Sequence, residues 1–128
     1  MPFQILSTLR EGTGAPAKVG DKLVVHYKGT LADGGAVFDD SRERGHAFTF
    51  ALGCNKVIRG WDEALRTMSL GERVSISIGP KWAYRKAGIS DEHGQYVVPP
   101  NATLVFEMQL VGVKDVKLQD DSINWNAR

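Results

Sequence analysis

Apolar and polar residues alternate along residues 21–31 (DKLVVHYKGTL). A period of two assigns a strand, with Leu23, Val25 and Tyr27 on one face and Val24, His26 and Lys28 on the other. The same period returns over residues 72–79, where Val74, Ile76 and Ile78 share a face. It returns again over residues 102–113, where Leu104, Phe106, Met108 and Leu110 do. Residues 3–9 and 48–52 read as shorter strands. Between 58 and 68 the period changes: Trp61, Leu65 and Met68 fall at i, i+4 and i+7, a narrow apolar stripe on a helix. Asp62, Glu63 and Arg66 fall on its other side, and Gly71 is placed to end it. Residues 11–17 (EGTGAPA) and Asp33-Gly34-Gly35 are turn chemistry. Val37-Phe38 leads into a polar stretch over 39–45. Residues 80–100 read as one long irregular loop, a length that in a compact domain marks function or disorder.

A single helix cannot supply the crossovers of a parallel sheet. The pattern therefore predicts an α+β fold, a mostly antiparallel β half-barrel wrapped around one short α-helix, with a cleft between the helix end and the loops. The 128 residues suit one domain, 1–128, with a core over about 3–113 and a polar tail, 114–128, expected to add little to it.

Composition narrows the function classes. Cys54 is the sole cysteine, so no intrachain disulfide forms and a reducing compartment is the simplest setting. The first residues, MPFQILSTLREG, carry no apolar run of signal-peptide length, and no stretch approaches a membrane span; a cytoplasmic monomer is the expectation. A net charge of +1 with both signs interspersed points to neither nucleic acid nor membrane as partner. Lys81, Trp82, Arg85 and Lys86 form one small basic patch that alone could argue for nucleic acid. His26, His46 and His93 lack metal-ligand spacing, and no glycine-rich turn makes a phosphate cradle, so neither metal nor cofactor is expected. On pattern alone Trp61 is a core residue, Asp39-Asp40-Ser41 a turn or cap, Arg42-Glu43-Arg44 a solvated face, and Cys54 a free thiol on a loop.

Five strings in order change that balance: VVHYKGTL, FDDSRER, LGCNKVIRGWDEAL, MSLGERV and VPPNATLVFEMQLVGV. Together, over residues 3–113, the chain resembles the FKBP-type peptidyl-prolyl isomerases, the immunophilins that bind tacrolimus and rapamycin. The resemblance implies a pocket for proline floored by Trp61 and walled by Tyr27, Phe38, Phe48, Val57, Ile58 and Phe106. It implies polar groups at Asp39 and Arg44, a hydroxyl donor at Tyr84, and the Ile58 N–H as a donor to a ligand carbonyl. The Lys56 backbone carbonyl, Val97 and Val98 complete the implied binding set. Tyr27, Asp39, Trp61, Tyr84 and Phe106 are the residues expected to bear on catalysis, with Phe50 and Met108 left to the core. The implied partners are Pro-containing peptides and proteins, the two macrolides, and a phosphatase or kinase met in a drug-dependent complex.

The chain departs from the family pattern at the rim. The loop over 81–98 is longer than in small members, with extra residues around 89–96. Arg85-Lys86 stands where a glycine normally follows the pocket tyrosine, Trp82 replaces a smaller aromatic residue, and Lys56 replaces an acidic or neutral one. A non-catalytic module that captures a proline segment in the same pocket is the competing reading.

Overall fold

The longest alternating runs become the two central strands. The computed structural model describes residues 3–118. Along the chain these form β1 (Phe3–Arg10), β2 (Lys22–Leu31), β3 (Val37–Asp40), β4 (Phe48–Ala51), α1 (Arg59–Leu65), β5 (Arg73–Ile78), β6 (Ile89–Ser90), β7 (Tyr96–Val98), β8 (Leu104–Val113) and β9 (Val116–Lys117). The main sheet runs β1-β5-β8-β2-β3, with β4 added to β2 and β9 to β8. Every pairing is antiparallel.

Register explains the core. β8 lies between β5 and β2, with Phe106 opposite Ile76 on one side and Gly29 on the other, and Met108 opposite Val74 and Tyr27. The inward residues of all three strands therefore meet on one face. Leu23, Val25, Ile76, Ile78, Leu104, Met108 and Leu110 are fully buried there. Each such side chain contributes roughly 1.5–3 kcal/mol through its removal from water. The apolar stripe of α1 covers this face, with Trp61 and Leu65 buried, and Met68, just beyond the helix, is buried with them. The helix can approach so closely because Gly60 faces Ile78: a Cβ built there would stand 2.6 Å from Ile78 Cδ1 and Cγ2.

Several expectations need correction. The helix is seven residues long and ends at Leu65. The chain then tightens into turns closed by Thr67 N–H to Ala64 O (3.0 Å) and Met68 N–H to Leu65 O (3.2 Å). Gly71 (φ +89°) does not end the helix; its N–H donates to Leu110 O at 2.7 Å and ties the turn to β8. Asp62 does not face solvent but is buried, accepting the Gly53 N–H at 2.9 Å. Of the polar stretch 39–45, Asp39 and Asp40 belong to a strand, because their backbone completes a hairpin with β2 through Lys28–Asp40 and Gly29–Asp39 pairing; residues 41–45 are turn. Residues 80–100 are ordered: one 3₁₀ turn at Pro80–Trp82, then the β6–β7 hairpin. The hairpin turn is held by Asp91, whose Oδ1 accepts from His93 N–H (2.9 Å) and Gln95 N–H (3.0 Å). The start of the tail, expected to add little to the core, stays exposed at Val116 while β9 pairs with the end of β8 and Leu118 N–H reaches Val111 O; the rest of the tail lies outside the described residues. Among those residues no helix is long and apolar enough to cross a membrane.

Candidate active site

A cavity of about 150 Å³ opens where the carboxyl half of β2, β3, the start of β4, the loop before α1 and the amino-terminal part of β8 converge. Trp61 forms its floor. Residues on a strand alternate faces, so Tyr27 from β2 and Phe106 from β8 both point to the side that α1 covers. Their rings meet the indole edge-on, at centroid distances of 4.7 Å (78°) and 5.4 Å (83°). Phe38 meets Phe106 at 5.6 Å and 82°. Edge-to-face packing places the positive rim of one ring against the negative face of the next. The box of rings is possible because Gly29 carries no side chain: a Cβ there would stand 2.5 Å from Phe38 Cζ and 2.9 Å from Phe106 Cε1.

One orphan group marks the floor. Trp61 Nε1 is buried and has no hydrogen-bond partner among the described residues. Leaving a buried donor unpaired costs roughly 1–3 kcal/mol, which a ligand acceptor would recover. The opposite wall is polar. Tyr27 donates its hydroxyl proton to Asp39 Oδ2 at 2.5 Å, Arg44 pairs with Asp39 Oδ1, and Arg44 Nη2 donates to the Tyr27 hydroxyl at 3.0 Å. Burial first, then the Asp39 hydrogen bond, pushes the Tyr27 hydroxyl up to about 12, against the opposing pull of Arg44. Burial also raises Tyr84, with the Asp39 charge adding to it. Both phenols therefore remain protonated donors at neutral pH.

Two residues behind the cavity hold this geometry, and neither was singled out for it from sequence. Ser41 is fully buried; its hydroxyl accepts the Tyr27 N–H at 2.8 Å and stands 3.2 Å from Tyr27 O and 2.9 Å from His26 Nδ1. It clips β3 to β2 on the far side of the Tyr27–Asp39 bond. Asp62, through Gly53, pins the loop that brings Lys56, Val57 and Ile58 to the cavity. The sequence signals were slight: a serine after two aspartates, and an aspartate on the polar side of a short helix.

Of the residues assigned to the site from sequence, Tyr27, Phe38, Asp39, Phe48 and Lys56 line the cavity, as do Val57, Ile58, Trp61, Tyr84 and Phe106. Phe50, placed in the core, is buried behind Phe48 and stacked on it at 5.6 Å. Arg44 does not line the cavity but reaches its rim through Asp39 and Tyr27. Val97 and Val98 are not brought to it. They lie on opposite faces of β7, where Val98 is buried in the core and Val97 is exposed. Among the described residues no group of three His, Cys, Asp or Glu could hold a metal.

With the geometry in place, comparison with known proteins is decisive. The sequence model of the family described as FKBP-type peptidyl-prolyl cis-trans isomerase matches residues 14–111. The chain belongs to that family. It is an enzyme that interconverts cis and trans X–Pro peptide bonds, built on the FKBP fold. FK506-binding protein 1 of Dictyostelium discoideum is 43% identical over 109 residues, covering 85% of this chain and 96% of the relative. Among solved structures, AtFKBP13 superposes with a TM-score of 0.78 at 32% identity, covering 86% of this chain and 90% of that one. FkpA from Escherichia coli gives 0.71 at 38% identity, covering 91% of this chain but 48% of FkpA.

Within this FKBP domain the match ends at residue 111, so β9 lies beyond it. The matched span runs through the four strands, the helix and the loop that carry every ring of the cavity.

Proposed function

We propose that catalysis takes place in the Trp61 cavity, with the pyrrolidine ring of the substrate against the indole face. Rotation about a peptide bond is slow because resonance must be broken, at roughly 18–20 kcal/mol. No covalent bond needs to form. The twisted amide has a less polar carbonyl than the planar one, so transfer from water to a cavity of aromatic edges favours the twisted state. Tyr27, Phe38 and Phe106 turn positive ring edges toward the carbonyl oxygen. Tyr84 and the Ile58 N–H hold flanking peptide carbonyls, so one side of the bond is fixed while the other turns. Asp39 is a positioning residue that orients Tyr27 through its hydroxyl. A 10⁴-fold acceleration asks about 5.5 kcal/mol of these contacts together. The observation that carries this reading is the run of edge-to-face rings, Tyr27, Trp61, Phe106 and Phe38, along a cavity floored by an indole whose N–H is buried and unpartnered among the described residues.

Tacrolimus and rapamycin occupy the same cavity in this proposal; the Dictyostelium relative is named as an FK506-binding protein. The protein then acts as a cytoplasmic monomer on Pro-containing chains, and its drug-loaded rim is the surface a phosphatase or kinase would meet. The rim departures, Lys56 and the β6–β7 hairpin, favour a second use of the cavity as a capture site for a partner's proline segment.

The test is a protease-coupled assay on Leu-Pro and Phe-Pro peptides, with and without rapamycin. Acceleration proportional to enzyme and abolished by stoichiometric drug is expected, and Asp39→Ala should keep a reduced rate. A fully inactive Asp39→Ala that still folds and binds drug would point instead to acid–base chemistry. Tight drug binding without any acceleration would leave only the capture reading.

A further inference from the structure

A second cleft, of about 490 Å³, lies beside the first and is lined by Pro80, Lys81, Arg85, Lys86, Ala87 and Asn101. The Pro80–Arg85 segment is the shared wall. Tyr84 turns into the proline cavity, and the next residue, Arg85, turns into this cleft. The two hollows thus border consecutive residues of one segment.

Two features make the cleft more than a solvated basic face. Its backbone is locked in an uncommon form. Arg85 (φ +52°) and Asn101 (φ +61°) both adopt left-handed backbone, and they are joined by Asn101 N–H to Arg85 O at 2.6 Å. Arg85 N–H also donates to Pro80 O at 3.0 Å. Asparagine tolerates that backbone; arginine does not do so readily, and glycine would be unstrained. Strain kept at a rim position in order to present a cation is a pointer to use. The cations are also uncommitted. Arg85 spends only Nε, on Lys81 O at 3.2 Å, and among the described residues none of the three cations makes an ion pair. The nearby carboxylates of the hairpin turn are engaged elsewhere: Asp91 holds its own turn and Glu92 faces His93.

The aromatic residue of this patch is not free to stack on a base. Trp82 is stacked on Phe3 at 5.8 Å and has the Arg59 guanidinium 4.4 Å from its ring centroid. The patch keeps its charge and loses its stacking platform, which disfavours single-stranded nucleic acid.

We infer that this cleft binds acidic side chains flanking the proline of the polypeptide substrate, so that the enzyme selects X–Pro segments carrying aspartate or glutamate nearby. The inference rests on the proline cavity being the active site. Pro80 and Ala87 supply an apolar floor for the peptide backbone, and Lys81, Arg85 and Lys86 pair with its carboxylates.

The experiment compares matched Leu-Pro peptides with Glu-rich or Gln-rich flanks on either side of the dipeptide. Exchange rates are read by NMR and binding by fluorescence anisotropy, at low and high salt, for the wild type and the Lys81→Gln/Arg85→Gly/Lys86→Gln variant. About ten-fold higher kcat/KM and tighter binding on one Glu-rich peptide are expected at low salt, fading at high salt as exposed pairs are screened. The variant should lose that preference while turning over Gln-rich peptide like the wild type. Equal rates on the two peptides in low salt would overturn the inference, and so would a preference that survives in the variant. Tighter binding of an oligonucleotide that displaces the Glu-rich peptide would overturn it too. Failure to turn over the Gln-rich peptide at all would instead count against the proline cavity as active site, and the anisotropy arm would still decide the cleft.

Discussion

Gly60→Ala isolates the contact that seats the helix on the sheet. In an exposed helix this change stabilises by about 1 kcal/mol, because alanine gives up less backbone freedom. Here the added methyl would stand 2.6 Å from Ile78 Cδ1 and Cγ2 and 2.9 Å from Cγ1. Ordinary carbon contacts lie near 3.5–4.0 Å, so about 1 Å of separation must be found. Ile78 is fully buried in β5 and has no room to swing aside. Overpacking of that kind costs about 1–3 kcal/mol. Set against the helix preference, the net effect is destabilisation by about 1 kcal/mol, read as a lower urea midpoint and a Tm lower by about 4 °C. The helix lifts and takes Trp61, the next residue, with it. A displacement near 1 Å at a catalytic surface can cost about 100-fold, so kcat/KM should fall between about 10- and 100-fold while the fold persists. Ile78→Ala removes all three clashing atoms. The double variant should therefore lose at least about 1 kcal/mol less than the sum of the singles and recover activity relative to Gly60→Ala. A Gly60→Ala protein more stable than the wild type, with unchanged kcat/KM, would refute the claim that Gly60 sets the depth of the pocket floor.

Tyr27 is raised to about 12 in the folded protein against 10.0 for an ordinary tyrosine. Its contribution to stability is therefore complete below pH 10 and is lost as pH climbs from about 10 toward 12. Ultraviolet titration should find one phenol ionising late, and Asp39→Asn should bring that phenol down. His26 behaves oppositely: burial, joined by the Arg42 charge and opposed by Asp40, lowers it below 6.5. Its contribution is present above pH 6.5 and lost as pH falls through the folded value, so His26→Gln should flatten the acid limb of urea stability in that window.

How far the sequence could be read depends on where the cause of each feature lies. Strands β2, β5 and β8 were legible because a strand buried on one face writes its own alternation. The ring box was legible through the ordered family strings, since its rings come from strands and a helix far apart in sequence. What escaped was set by partners. The burial of Asp62 is decided by an N–H nine residues earlier, and helical period assigns that position to the polar side. The short strand β3 carries too few residues for alternation and exists because β2 offers it an edge. The valines at 97 and 98 follow from the resemblance alone; on β7, paired with β6, Val98 is buried in the core and Val97 is exposed. Gly29 was visible as a glycine inside a strand, a sign of close approach, but not which rings approach it.

The sheet order also fixes when this enzyme can come into being. Among the described residues β8 is the last long strand, yet it is the one held between β5 and β2. Until residues 104–113 leave the ribosome, β5 and β2 have no common neighbour and Trp61 has no Phe106 to meet. Neither hairpin nor helix formed earlier can hold a working cavity, because the contacts that close it join distant parts of the chain. A catalyst of other proteins' slow folding step gains its own activity in one late event, when its central strand slots in.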